Sequence, residues 1–174
     1  MQVGVVFEVL PPDVDEAAFA GEAPLHYVRR MALQKAMAGQ SERERRGLPA
    51  APVLGADTIV VVGEEILHKP DDLIGARAQL RQLSGRDHVV HTALCLLGTS
   101  LREAQSSTTV TMKPLSDSEI DAYCATQEPQ GKAGSYAIQG MGALFVSRIL
   151  GSYSGVVGLP LYECGQLLRD EGVL

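Results

Sequence analysis

Apolar and polar residues follow two different periods along this chain, one typical of strands and one typical of helices. The run VLGADTIVVV, Val53–Val62, is almost continuously apolar and rich in β-branched residues, which predicts a buried strand. Weaker strand patterns cover residues 3–9, 88–97, 106–112 and 143–149. Because these runs alternate with helical patterns, the sequence predicts an α/β protein.

The helical patterns carry recognisable start and stop signals. Residues 24–38 have the apolar spacing of an amphipathic helix, and the charged segment 40–52 that follows is predicted to be a surface loop. Asp71 or Asp72 can cap a helix that runs to Leu83. Ser116 and Glu119 match a capping box, and Pro160 opens a last helix.

Length and composition predict one ordinary globular domain over residues 1–174. Hydrophobic residues make up 45% of the chain, which suffices for a core and excludes disorder. The formal net charge of −6 argues against a nucleic-acid or membrane-surface binder, because no basic excess exists to neutralise phosphates. No apolar run could span a bilayer, and the basic region of a signal peptide is not evident. Three widely spaced cysteines predict buried thiols and a cytoplasmic location.

Asp57 is the most informative polar residue, because it interrupts an otherwise apolar strand. A lone carboxylate there is costly to bury unless it has a partner. One interpretation is a strand-end aspartate that accepts hydrogen bonds from backbone donors. The other is a general base or metal ligand presented by a rigid core strand. The residues alone leave both open.

Other candidate functional residues lie beside glycine or proline. Lys69 in HKPDD and Lys132 in GKAGSYAIQG could direct ammonium groups at phosphates, or could be solvated surface lysines. Gln139 could read the edge of a base or cap the backbone of its own loop. His88 and His91 have no metal-ligand spacing and are predicted to lie on a strand surface. Together, these residues favour a metal-dependent phosphoanhydride hydrolase.

Several longer motifs occur together, in an order and at spacings that make chance similarity improbable. They are GADTIVV (55–61), ILHKP (66–70), LRQLSGRDHVVHTAL (80–94), LSDSEIDAY (115–123), EPQGKAGSYAIQGMGALFV (128–146) and GSYSGVVGLPL (151–161). With these motifs the chain resembles the Maf family of nucleoside triphosphate pyrophosphatases from residue 3 onward. The resemblance implies an inosine-triphosphatase-like α/β fold. In it a twisted mixed central sheet is flanked by helices, and a cleft separates two lobes.

The resemblance also implies an activity, cofactor and site residues. A nucleoside triphosphate and water would give the monophosphate and pyrophosphate, with Mg²⁺ or Mn²⁺ as the divalent metal. Asp57 would be the general base, and Asp57 and Glu16 would be metal ligands. The remaining positions would bind substrate: Lys35, Lys69 and Lys132 at the phosphates, and Thr58 and Gln139 at the base. The combination of ADT and AIQG is similar to the dTTP/UTP branch, with modified pyrimidine nucleotides as further substrates; a homodimer is left open.

Some features depart from the family pattern. Members carry a strand and an SxSPRR turn before the segment that matches residues 3–8, and we expect neither in this 174-residue chain. His68 stands where glycine is usual, and Gly131 stands where aspartate is usual. These departures define the alternative: a catalytically impaired Maf-like protein that acts without catalysis in cell-division (septum) control.

Overall fold

A computed structural model describes residues 4–11 and 13–174. Over these ranges the chain forms five α-helices and five strands, which confirms the predicted α/β class. In chain order they are α1 (Pro24–Arg45), β1 (Val53–Val62), β2 (Glu65–Leu67), α2 (Leu73–Leu83), β3 (Asp87–Leu97), β4 (Leu101–Met112), α3 (Asp117–Ala125), β5 (Val146–Leu150), α4 (Tyr153–Val157) and α5 (Leu161–Asp170). Two short 3₁₀ turns, Ala133–Ser135 and Met141–Phe145, lie between α3 and β5.

The five strands form one open sheet in the order β2-β1-β3-β4-β5. β2 pairs antiparallel with β1, with Val60 opposite Leu67. At the other edge, β5 pairs antiparallel with β4, with Thr109 opposite Leu150. Strand β1 has the bounds that its apolar run predicts, whereas the three-residue strand β2 is too short for its pattern to be recognised in the sequence.

The chain divides into two compact units. The first comprises the described residues up to Asp57, together with Thr92–Ser106 and Gly158–Leu174. The second comprises Thr58–His91 and Ser107–Val157. Strands β1, β3 and β4 contribute residues to both units, so the unit boundaries fall within strands and not in linkers.

In the first unit, α1 is longer than its sequence pattern predicts. The helix continues to Arg45, so the predicted loop at 40–52 is wrong over its first six residues. The polar residues of this stretch reflect solvent exposure of the last helical turns. Glu42 pairs there with Arg45 at 2.6 Å and with Arg46 at 2.6 Å, at the i+3 and i+4 spacings that stabilise a helix.

The first unit has its own apolar cluster, in which α5 packs against strand residues. Leu94 and Leu96 of β3 are 1% exposed and contact the buried face of α5. That face consists of Cys164, Leu167 and Leu168. Residues 4–9, predicted to be part of a strand, are irregular, and Val6, Phe7 and Val9 are exposed. The prediction is therefore wrong for residues 4–9. A segment with alternating apolar residues forms a strand only where a neighbouring strand pairs with it.

The second unit contains a larger core between the sheet and helices α2 and α3. Both helices begin where the sequence predicts. Asp72 caps α2 by accepting a hydrogen bond from Gly75 N at 2.7 Å, and Ser116 and Glu119 form the predicted capping box of α3. The core residues are Val60, Leu67, Ala76, Leu80, Leu83, Val90, Val110, Met112, Ile120, Tyr123, Cys124, Tyr136, Ile138 and Phe145.

The three cysteines are buried free thiols, as the sequence predicts. Cys95 and Cys124 are 0% exposed and Cys164 is 2% exposed. Burial raises the pKa of the Cys95 thiol to about 11, so it is protonated at neutral pH. Among the described residues, no helix has both the length and the apolar character that a membrane span requires.

Candidate active site

Asp57 lies in the interior of β1 and forms an ion pair with α1. Its side chain is 11% exposed, and its Oδ1 atom accepts a hydrogen bond from Lys35 Nζ at 2.6 Å. This contact explains how an otherwise apolar strand holds a carboxylate. The structure thus gives Asp57 a cationic side-chain partner, and its roles as general base and metal ligand stay predictions.

Lys35 bridges two carboxylates. Its Nζ atom lies 2.6 Å from Asp57 Oδ1 and 2.8 Å from Glu16 Oε1. Burial alone would lower the pKa of this lysine. The hydrogen bonds to Asp57 and Glu16 outweigh that effect, so its pKa lies above the usual value and the ammonium is charged. Three of the predicted site residues thus form one cluster, which we call the Lys35 cluster: Glu16, Lys35 and Asp57.

A glycine allows the helix and the strand to approach closely enough for this contact. A Cβ atom at Gly55 would lie 2.3 Å from Ala32 O and 2.5 Å from Ala36 N. Those two alanines belong to the turn of α1 that carries Lys35, and both are buried. The absence of a side chain at Gly55 therefore lets the backbone of α1 lie directly against β1, two residues before Asp57.

Glu16 lies in an irregular segment before α1, and its side chain is 41% exposed. The hydroxyl of Tyr27 donates a hydrogen bond to Glu16 O at 2.8 Å. Burial raises the pKa of Tyr27, and the charges of Asp57 and Glu16 raise it further, so the phenol remains a proton donor. Tyr27 is 3% exposed, and it anchors the backbone that presents Glu16.

Arg30 provides a second anchor for the same segment. Its guanidinium donates to both carboxylate oxygens of Glu22, at 2.7 and 2.5 Å, and to Ala17 O at 3.0 Å. It also lies over the ring of Phe19, 4.0 Å from the centroid. Sequence reasoning missed both anchors, Tyr27 and Arg30. The residues around Tyr27 and Arg30 do not indicate these contacts, because the partners Glu16 and Ala17 lie 11 and 13 residues away in the sequence.

The predicted substrate-binding residues of the second unit lie in connecting segments, except for Thr58. Thr58 directly follows Asp57 in β1 and is partly buried, while Lys69 is exposed between β2 and α2. Lys132 and Gln139 are exposed in the segment that joins α3 to β5. Within the described part of the chain, the Gln139 side chain makes no hydrogen bond, so the interpretation of Gln139 as a backbone cap is wrong.

Gln79 of α2 connects the two segments that carry these residues. Its side-chain amide donates to His68 O at 3.0 Å, next to Lys69. Its carbonyl oxygen accepts from Ser135 Oγ at 2.5 Å, in the segment between Lys132 and Gln139. Ser135 has a φ of +60°, a conformation that costs free energy for a residue with a side chain. The hydrogen bond to Gln79 helps to hold that conformation.

His88 lies in the core, so the prediction that it is on the strand surface is wrong. It is 2% exposed, and its Nε2 atom shares a hydrogen bond with Tyr136 Oη at 2.8 Å. Burial lowers its pKa to about 4, which leaves the imidazole neutral at neutral pH. His91 lies partly at the surface, where its Nδ1 atom shares a hydrogen bond with Ser107 Oγ at 2.8 Å. The alternation of β3 points His88 inward along with Val90.

The Lys35 cluster contains both residues that the family resemblance predicts as metal ligands, Glu16 and Asp57. Residues 4–11 and 13–174 contain no cluster of three or more His, Cys, Asp or Glu side chains arranged to hold a metal ion. Glu16 and Asp57 both lie within 3 Å of one ammonium nitrogen, so their carboxylates face a common point. Magnesium often takes one or two protein carboxylates and completes its shell with water and phosphate oxygens. The two carboxylates are ligands of the kind that such an ion takes, and Lys35 Nζ occupies the point that both of them face.

Comparison with known proteins places these residues in a family. The family model described as "Maf-like protein" matches residues 1–171. A dTTP/UTP pyrophosphatase of Bordetella parapertussis is 48% identical over 99% of this chain and 86% of its own length. One of Shewanella oneidensis is 51% identical over 97% of this chain and 86% of its own length. One of Nitrosomonas europaea is 46% identical over 99% of this chain and 87% of its own length.

The sequence motifs, the α/β fold and the comparisons all indicate the same family. The family match covers nearly all of the chain, and the relatives share about half of its residues. The Lys35 cluster lies within the matched region. This chain belongs to the Maf-like protein family.

Proposed function

We propose that this protein is a nucleoside triphosphate pyrophosphatase that hydrolyses dTTP and UTP to the monophosphate and pyrophosphate. The observation that carries the proposal is the Lys35 cluster, in which an ammonium of α1 bridges Asp57 of a core strand and Glu16 of the segment before α1. Relatives that are about half identical and align over most of their length are named dTTP/UTP pyrophosphatase. A cluster of this kind has the charges that phosphoanhydride hydrolysis requires.

Asp57 is the proposed general base. It would accept a proton from the water that attacks the triphosphate, while the α–β anhydride bond breaks and pyrophosphate leaves. The ionised carboxylate is the form that accepts a proton, and the Lys35 ammonium is its counter-charge. Strand β1 and the close approach of α1 hold Asp57 in place, as a catalytic group requires.

Positive charge for the phosphates would come from three lysines. Lys35 is partly buried, and its ammonium has a fixed position between two carboxylates. Lys69 and Lys132 are exposed, so their ammonium groups are accessible to a phosphate oxygen. Gly131, next to Lys132, has a φ of +69°, so the chain turns immediately before this lysine.

A divalent metal, Mg²⁺ or Mn²⁺, would be held by Glu16 and Asp57. The fit of these carboxylates to a common point supports this assignment, and the substrate phosphates would supply further oxygen ligands. When bound, such an ion neutralises charge on the triphosphate. Lys35 would share the two carboxylates with the ion and bind the phosphates alongside it.

Base selectivity is assigned to Thr58 and Gln139. The Gln139 amide can donate and accept hydrogen bonds, and it makes none with the described part of the chain. Thr58 offers a small hydroxyl on the same strand as Asp57. A site that hydrogen-bonds to a pyrimidine discriminates against bases that leave its polar groups unpaired.

We place the protein in the cytoplasm, with nucleoside triphosphates as its ligands and without a nucleic-acid partner. The three buried free thiols are compatible with a reducing compartment. The net charge of −6 disfavours binding to a phosphate backbone. A role in cell division without catalysis is not favoured, because the relatives above are named for an enzymatic activity.

Product analysis tests the proposed function. The purified 174-residue chain is incubated with dTTP or UTP and Mg²⁺ or Mn²⁺, and the products are separated by ion-exchange chromatography. Formation of dTMP or UMP with an equal amount of pyrophosphate is expected. Release of orthophosphate from the γ position would contradict the proposal, and so would folded protein that leaves both nucleotides intact. Omitting the metal tests the cofactor assignment separately.

A further inference from the structure

The loop that carries Gln139 is held by hydrogen bonds from its backbone to two side chains. Ala137 N donates to the hydroxyl of Tyr123 at 3.0 Å. Met141 N and Gly142 N donate to the two carboxylate oxygens of Glu128, each at 3.0 Å. The three amides lie before and after Gln139, so the loop is fixed on both sides of that residue.

The two side chains that hold the loop also bind each other. The hydroxyl of Tyr123 donates to Glu128 Oε1 at 2.7 Å. Tyr123 belongs to α3, is 2% exposed and packs edge-to-face against Phe145, with ring centroids 5.0 Å apart. Burial alone would raise the pKa of Glu128, but hydrogen bonds from Gly142, Met141 and Tyr123 lower it below the usual value. The carboxylate is therefore ionised and accepts three hydrogen bonds.

Two glycines leave room for this arrangement. A Cβ atom at Gly140 would lie 2.4 Å from the Glu128 carboxylate. One at Gly142 would lie 2.8 Å from Ala137 O and 2.9 Å from the Tyr123 hydroxyl. The carboxylate thus packs directly under the loop backbone, which leaves the loop little freedom to shift.

Gln139 itself contributes nothing to holding the loop. Its side chain is exposed and makes no hydrogen bond within the described ranges. Ala137 and Ile138 before it are each 5% exposed, so the backbone enters the loop from the core. The backbone sets the position of the Gln139 Cα atom and the direction of its Cα–Cβ bond, and Tyr123 and Glu128 hold that backbone.

We propose that Glu128 and Tyr123 are positioning residues that determine base preference by fixing the loop of Gln139. The proposal rests on the proposed function, in which Gln139 reads the base. Neither side chain needs to touch the nucleotide. A site that must place one amide against the edge of a base benefits from a backbone with a single conformation.

The variants Glu128→Gln and Tyr123→Phe test the proposal. The first turns one acceptor oxygen into an NH₂ group that faces a backbone N–H, and the second removes the hydroxyl that Ala137 N requires. Affinities are measured by calorimetry for the α,β-imido analogues of dTTP and dGTP, whose α–β link resists hydrolysis. We expect each variant to reduce the dTTP-over-dGTP preference about five- to tenfold, the effect of losing one or two hydrogen bonds.

A double-mutant cycle with Gln139→Ala distinguishes positioning from general destabilisation. If Glu128 acts through Gln139, Glu128→Gln changes the preference in the wild-type background and leaves it unchanged in the Gln139→Ala background. Equal changes in both backgrounds would overturn the proposal, as would an unchanged preference in Glu128→Gln. Amide hydrogen exchange should show faster exchange at Met141 and Gly142 in Glu128→Gln, and unchanged protection there would overturn the proposal too.

Glu119→Gln is the matched control. Glu119 makes the same number of local contacts at the start of α3, to Ser116 and Lys113, and does not contact the loop. It should affect stability without altering the preference. If Gln139→Ala leaves the preference unchanged, both the base-reading role and this proposal fail. If the wild type binds the dTTP analogue but releases no pyrophosphate from dTTP, the proposed activity fails, and the affinity ratios still decide the role of Glu128.

Discussion

The ammonium of Lys35 lies 2.6 Å from Asp57 Oδ1, and this contact joins α1 to β1 across 22 residues of sequence. Both side chains are largely buried, at 16% and 11% exposure. Glu16 adds a second carboxylate 2.8 Å from the same nitrogen. The cluster has two carboxylates for one ammonium, an excess of negative charge that would favour a further cation beside it.

Replacing Asp57 by asparagine should abolish most of the activity while preserving the fold. The amide has nearly the same shape but cannot accept a proton, so turnover should fall about 10²–10⁴-fold. Pyrophosphate release from dTTP measures the effect, and circular dichroism checks the fold. Asp121→Asn, which alters an exposed ion pair with Arg77, is the control and should retain activity. Hydrolysis by Asp57→Asn at the wild-type rate would contradict the assignment of the general base.

Removing the Lys35 cation should destabilise the protein. Lys35→Met leaves two carboxylates facing each other without a counter-charge, and the free energy of unfolding should fall by about 2 kcal/mol. Urea denaturation measures this loss, and adding Asp57→Asn should recover part of it. Lys113→Met breaks the more exposed pair with Glu119 and should cost far less. Equal costs for the two lysines would refute the account of the cluster.

The close approach at Gly55 should tolerate no side chain. In Gly55→Ala the new methyl group would overlap the α1 backbone at Ala32 and Ala36, so α1 must shift away from β1. The free energy of unfolding should fall by about 3 kcal/mol, and activity should fall because Lys35 moves away from Asp57. Gly75→Ala on α2 has only ordinary contacts and should gain up to about 1 kcal/mol. Thermal unfolding of both variants distinguishes steric overlap from a general effect of alanine.

Local signals account for the parts of the fold that the sequence predicted well. The β-branched run of β1 can be recognised from its own residues, and the predicted bounds of this strand are confirmed. Asp72 and the Ser116–Glu119 capping box satisfy helix N–H groups within three residues, so their sequence spacing is sufficient evidence. The end of α1 was predicted too early, because charged residues on an exposed helical turn resemble a loop in composition.

Tertiary contacts account for what the sequence could not predict. The apolar neighbours of Asp57 single it out in the sequence, but its contact with Lys35 depends on how α1 lies against β1. The resemblance to a family identified Glu16, whereas Tyr27, which anchors it, has no local signal. The polar character of histidine predicts a surface position for His88. Its buried partner Tyr136 lies 48 residues away, so the sequence around His88 does not reveal it.

The buried His88 should make stability depend on pH. Its pKa is about 4 in the folded state against 6.5 for the free side chain. Between these two pH values the unfolded chain therefore binds more protons than the folded chain. The contribution of the neutral His88 to the free energy of unfolding is complete above pH 6.5 and is lost as the pH falls toward about 4. His88→Gln keeps a polar partner for Tyr136 without titrating. Between about pH 7 and about pH 4, the wild type should lose about 3 kcal/mol more than this variant in urea denaturation. The exposed His26→Gln should behave like the wild type, and parallel losses in His88→Gln and the wild type would contradict the burial argument.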